Sequence, residues 1–147
     1  MSTRNGANPG PAETVRVSLP HDRDRIDALQ SSLMEAVEQA GYPKPARFAI
    51  KLAFEEALMN AFHHGHKGLG EDVEVRVEYA VARDEVYISV EDQGPGFDPN
   101  KVPDPTLDEN LALPSGRGIM LMRAYMTDVS HNATGNRVHL RYVRPAD

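Results

Sequence analysis

Val73, Val75, Val77, Tyr79 and Val81 alternate with Glu74, Arg76 and Glu78, and Val86, Ile88 and Val90 alternate with Tyr87, Ser89 and Glu91. Alternation with a period of two places apolar side chains on one face of a strand and polar ones on the other. The linker Ala82–Glu85 is of hairpin length, so the two strands pair antiparallel with one face covered. Val15, Val17 and Leu19 predict a strand before this pair, and residues 128–132 and 137–142 predict two after it, with Gly135 between them. Apolar residues at spacings of three and four (Ile26, Leu29, Leu33, Met34, Val37, Ala40) predict a helix from about Asp24 to Ala40, stopped by Gly41. A second helix is expected over about 45–64 and a short third one over about 119–126.

The resulting order is strand, helix, helix, hairpin, long aperiodic stretch, helix, hairpin. Strands in antiparallel pairs with segregated helices define an α/β two-layer sandwich. We expect a mixed, mostly antiparallel sheet covered on one face by three helices. The same order excludes a dinucleotide-binding βαβ reading of the glycine motifs below.

A chain of 147 residues has room for one domain, expected over 14–147. Residues 1–13 have too little apolar content to bury and are expected to be a disordered arm. There is no cysteine, which removes disulfides, thiolate metal sites and a cysteine nucleophile. The net charge of −6 is the wrong sign for generic nucleic-acid binding. No run is apolar enough to span a bilayer and the start carries no signal-peptide core, so a cytoplasmic location without a membrane partner is expected.

The second helix carries the first candidate chemistry. At about 100° per residue, Arg47, Lys51 and Glu55 form one polar stripe. Glu56, Asn60, His63 and His64 form another, and Phe48, Leu52 and Met59 separate the two. One stripe faces water; the second is expected to line a polar cavity, because buried carboxylates need partners. Glu56 and Asn60 stand at i and i+4, so their side chains point the same way. A carboxylate beside an amide oxygen suits a general base and a hard-cation ligand, Mg²⁺ included. Two glycine motifs follow. Asp92-Gln93-Gly94-Pro95-Gly96-Phe97 places a carboxylate at a strand end beside a tight turn, where it can accept a hydrogen bond from an amino group. Ser115-Gly116-Arg117-Gly118 opens the third helix, where free amides make an anion cradle that is not a Walker A loop.

Taken in order, these strings resemble the GHKL, or Bergerat-fold, ATPases, and among them the stand-alone anti-sigma factor serine/threonine kinases. The resemblance rests on residues 54–61 with His64-Gly65, on 90–97 and on 116–122, and covers about 14–143. It implies ATP and Mg²⁺ as cofactors. Glu56 would be the catalytic base and Asn60 the metal ligand. Asp92 would bind the adenine amino group beside Gly94 and Gly96, and His64 would help shape the pocket. Gly116, Arg117 and Gly118 would sit at the triphosphate, and a lid would span about 99–115. It also implies an anti-anti-sigma acceptor of the STAS fold, a sequestered sigma factor and a homodimer. One departure stands out: where the family often has a Thr after the glycine of the last hairpin, this chain has Asn136 and Arg137. That change motivates an alternative, a nucleotide-binding module that sequesters a partner without phosphoryl transfer. The catalytic half of a histidine kinase is a weaker alternative, as the chain has no room for a dimerisation helix with an acceptor His. A zinc role for His63, His64 and His66 is disfavoured by their divergence on the helix. Met120, Met122 and Met126 read as core, and Arg137, Arg141 and Arg144 as a solvated strand face.

Overall fold

A computed structural model describes residues 14–65, 73–94 and 114–145. Five strands form one sheet: β1 (Val15–Leu19), β2 (Val75–Val81), β3 (Glu85–Glu91), β4 (Asp128–His131) and β5 (Arg137–Val143). Their spatial order is β1-β2-β3-β5-β4. Every pairing is antiparallel, so the mixed, mostly antiparallel sheet expected from sequence is wholly antiparallel among the described strands. Helices α1 (Arg23–Gln39), α2 (Lys44–Asn60) and α3 (Pro114–Tyr125) supply the second layer. The expected arm, 1–13, lies outside the described residues.

Local chemistry sets the boundaries. Asp22 caps α1 by accepting the Arg25 N–H at 3.0 Å, so the helix starts one residue before the periodicity predicts. Gly41, at φ 86°, ends it in the left-handed region where a side chain would be strained. Leu29, Leu33 and Val37 of α1 and Ile50, Phe54 and Ala57 of α2 turn inward, onto Val75, Val77, Val86, Ile88 and Leu140 of the sheet. Met122 and Met126 are buried, as expected of core filler, but Met120 is exposed.

The sheet face away from the helices is polar. Glu78 bridges Arg16 at 3.4 Å and Arg137 at 3.3 Å, while Arg137 Nε donates to Ser89 Oγ at 2.7 Å. Ser89 is thereby buried on an otherwise hydrated face. Arg141 pairs with Glu85 at 3.0 Å. The expected solvated strand face thus holds for Arg137 and Arg141. Arg144 departs from it: its guanidinium lies 4.1 Å over the Tyr42 ring and donates to the Ala40 carbonyl at 2.6 Å. Tyr42 in turn donates to the Ala82 carbonyl at 2.8 Å, tying the α1–α2 junction to the β2–β3 hairpin.

Two histidines of the last hairpin give the fold a pH dependence. Burial lowers the pKa of His131 and of His139, and Arg123 and Arg137 respectively push the same way. The folded chain therefore binds fewer protons than the unfolded chain as the pH falls through the ordinary histidine value of 6.5. Their contribution is complete above that pH and is lost on acidification. The melting temperature is expected to drop between about pH 7.5 and about pH 5.5, with a shallower drop in His131→Gln and His139→Gln. An equal slope in wild type and both variants would contradict this.

Candidate active site

Strand register and ring contacts bring the end of β3 and the end of α2 to one edge of the sandwich. Leu19 is paired with Val75, and Arg76 with Glu91, so the end of β1, the start of β2 and the end of β3 lie side by side. Asp92 follows β3 there. Just past β1, the His21 ring stacks on Phe62 at 4.6 Å and meets His63 edge-on at 5.7 Å, bringing the end of α2 to the same edge. Near the opposite end of the helices, Phe48 of α2 touches Tyr125 of α3 at 5.8 Å. Gly116, Arg117 and Gly118 lie in the opening turns of α3, at the other end of that helix from this contact.

On α2, Glu56 is half-buried and Asn60 follows one turn later. Loss of solvent raises the Glu56 carboxyl above the usual carboxylate range, and the neighbouring Glu55 charge adds to the shift. A base so shifted is better matched to proton transfer near neutrality. Asn60 Oδ1 is buried and has no hydrogen-bond partner among the described residues. A buried polar atom left unpaired is costly and uncommon, and a water, ion or ligand can serve as its partner. A neutral amide oxygen beside a carboxylate is also a donor set that suits Mg²⁺, so the residues present fit the metal.

Beyond Asn60 the helix does not continue as expected. Residues Ala61–Gly65 form a π-helical turn, a device that recurs at functional sites. The wider turn changes the angular step, which removes His63 from the Glu56–Asn60 stripe: it is exposed and turns to His21. The backbone of His64 lies in this turn, and His66 is outside the described residues. No group of three metal-binding side chains occurs among the described residues.

Asp92 is held tightly. Its Oδ1 accepts the Gly94 N–H at 2.8 Å, closing the turn that Asp and Gly predict. Its backbone N–H donates to the Asn136 carbonyl at 2.8 Å, and its own carbonyl accepts from Asn136 Nδ2 at 3.0 Å. Asn132 organises the same hairpin, its Oδ1 accepting from the backbone of Gly135, Asn136 and Arg137 at 2.8 Å, 3.1 Å and 3.2 Å. Gly135, at φ 82°, makes that turn possible. Sequence reasoning missed Asn132 and Asn136 as positioning residues, although Asn before a glycine turn was a usable signal. The departure at Asn136 therefore has a function of its own, which is to fix the strand end that carries Asp92. Gly96 and residues 99–113 of the expected lid lie outside the described residues, while its last two, Pro114 and Ser115, are helical. Helix α3 starts at Pro114, five residues before the apolar periodicity predicts, so the glycines are inside its opening turns and not ahead of it.

On α2, a buried amide oxygen stands one turn from a shifted carboxyl, a donor set that suits a hard cation. Residues 19–142 match the histidine kinase-like ATPase domain, and the chain belongs to that family of ATP-binding domains. The serine-protein kinase RsbW of Listeria innocua is 29% identical over 126 residues, covering 80% of this chain and 78% of the relative. The serine/threonine-protein kinase BtrW of Bordetella bronchiseptica is 31% identical over 96 residues, covering 64% and 67%. A Bacillus pumilus RsbW is 31% identical over 87 residues, covering 58% and 54%.

Asn136→Ala removes the side-chain donor to Asp92 without touching the expected ligand contacts. It should cost about 1 kcal/mol of stability and weaken ATP binding several-fold, on the scale of one neutral hydrogen bond. Calorimetric titration checks this; unchanged affinity would show that Asp92 is held without it.

Proposed function

We propose that this chain is a Mg-ATP-dependent protein serine/threonine kinase that acts as an anti-sigma factor. The observation that carries this reading is the buried Asn60 Oδ1, without a hydrogen-bond partner among the described residues and one helical turn from the desolvated Glu56, in a chain of the histidine kinase-like ATPase family. The acceptor would be a serine or threonine of a STAS-fold anti-anti-sigma protein. The kinase would also hold a sigma factor, act as a homodimer and work in the cytoplasm.

Each residue then has a task. Asp92 accepts a hydrogen bond from the adenine amino group, and the Gly94 turn keeps the backbone close to the base. Asn60 Oδ1 would hold Mg²⁺, which when bound neutralises phosphate charge. The amides at the start of α3, around Gly116 and Gly118, face the phosphates, with Arg117 adding positive charge. Glu56 takes the proton from the acceptor hydroxyl as its oxygen bonds to the γ-phosphorus and the bond to ADP breaks. Such a transfer needs positioning and charge stabilisation more than covalent help from the protein. Membership of the family, relatives that carry protein-kinase names and the ordered motifs support this reading.

The test is incubation with Mg-ATP and a STAS-domain protein from the same genome. One phosphoryl group on a serine or threonine of that protein is expected. Normal ATP binding without transfer would overturn the kinase reading and leave the non-catalytic module.

A further inference from the structure

Helix α2 ends at Asn60, and the chain passes at once into the π-helical turn Ala61–Gly65. Such a turn is rare by itself, so what packs on it decides whether it forms. Phe62, in the turn, is buried and belongs to the core. The exposed His21 ring covers it, nearly parallel at 14° with centroids 4.6 Å apart. The same ring meets His63 edge-on at 5.7 Å.

His21 is presented by a junction with little freedom. Leu19 before it is buried and paired with Val75. Pro20 fixes its own φ, and its carbonyl accepts the Asp22 N–H at 2.8 Å. Asp22 then caps α1 by accepting the Arg25 N–H at 3.0 Å. The ring therefore stands between a strand end and a helix start that are both tied down, and it couples that junction to the end of α2.

Asn60 depends on this coupling. Its Oδ1 is buried without a hydrogen-bond partner among the described residues, so no such bond fixes its direction. Its place is set by the backbone, through α2 on one side and the π-helical turn on the other. An α-helical continuation would swing His63 onto the stripe of Glu56 and Asn60.

We infer that His21 is a positioning residue for Asn60: its stack on Phe62 holds the π-helical turn and so keeps Asn60 Oδ1 placed for a hard cation. His21 acts through the turn, as a ring, and not through its nitrogens. The inference rests on the proposed role of Asn60 as the Mg²⁺ ligand.

The test is calorimetric titration of the full chain with ATP, without an acceptor protein, over a series of Mg²⁺ concentrations and in EDTA. In His21→Ala the Mg²⁺ needed for half-maximal tightening should rise about three- to tenfold, the scale of one aromatic contact. Affinity in EDTA should stay at the wild-type value. His21→Phe keeps a ring without nitrogens and should restore the wild-type requirement. Tyr42→Phe, which loses the hydrogen bond to the Ala82 carbonyl, is a destabilised control and should keep the wild-type requirement whatever its melting temperature. If His21→Ala does not fold, His21→Leu, apolar but unable to stack, takes its place.

An unchanged Mg²⁺ requirement in His21→Ala would overturn the inference and leave the role of Asn60 intact. Equal losses in His21→Ala and His21→Phe would assign the effect to the imidazole nitrogens and overturn it too. An equal rise in Tyr42→Phe, or a matching loss in EDTA, would do the same by showing a merely structural effect. A wild type whose ATP affinity ignores Mg²⁺ would overturn both the role of Asn60 and this inference.

Discussion

Asp92→Asn is expected to weaken ATP binding at least about tenfold, the scale on which a charged hydrogen-bond partner is lost. The substitution is a clean one here. The amide oxygen of Asn can still accept the Gly94 N–H, which Asp92 Oδ1 receives at 2.8 Å, so the turn is kept. The backbone pairing with Asn136 is untouched. What changes is the charge and the direction of donation: an NH₂ replaces an oxygen that would accept from the adenine amino group. Calorimetry should therefore show a large loss of affinity with little change in melting temperature. Equal binding by wild type and variant would remove Asp92 from the site. Absence of binding in both would leave a partner-binding module without nucleotide.

Glu56→Gln should separate binding from chemistry. ATP affinity is expected to stay within a few-fold, while phosphoryl transfer falls by about 10²–10⁴, the usual worth of a positioned general base. The half-buried carboxyl is already shifted toward its neutral form by loss of solvent. A neutral isostere should thus leave stability unchanged or improve it, which excludes unfolding as the cause of lost transfer. In wild type, transfer should rise with pH as Glu56 loses its proton, at a pH above the ordinary 4.5. Wild-type rates from Glu56→Gln, measured by phosphate incorporation into the STAS protein, would assign the base elsewhere.

The strands were readable from alternation because each has one covered and one hydrated face; Val75, Val77 and Tyr79 are buried while Arg76 and Glu78 face away. Glu56 and Asn60 were readable because helical spacing alone sets their common direction. What sequence could not supply was set by tertiary structure. The π-helical turn at Ala61–Gly65 breaks the angular step on which the placement of His63 relied. Helix α3 extends back over a glycine-rich segment of poor helix propensity, where packing on α2 and not local preference decides. Asn136 looked like a lost ligand contact, because a hydrogen bond to a residue 44 positions away leaves no local trace. Phe48 separates the two polar stripes on a helical wheel, which reports direction and not what lies there; in the fold it is exposed.

Glu56, Asn60 and Asp92 are expected to serve one nucleotide. Paramagnetic Mn²⁺ in place of Mg²⁺ tests it most directly, by broadening the NMR signals of nearby groups. With a non-hydrolysable ATP analogue present, the Asn60 side-chain amide should be bleached first, and the bleaching should vanish in Asp92→Asn at the same analogue concentration. Broadening centred elsewhere, or at Asn60 without any nucleotide, would contradict the account.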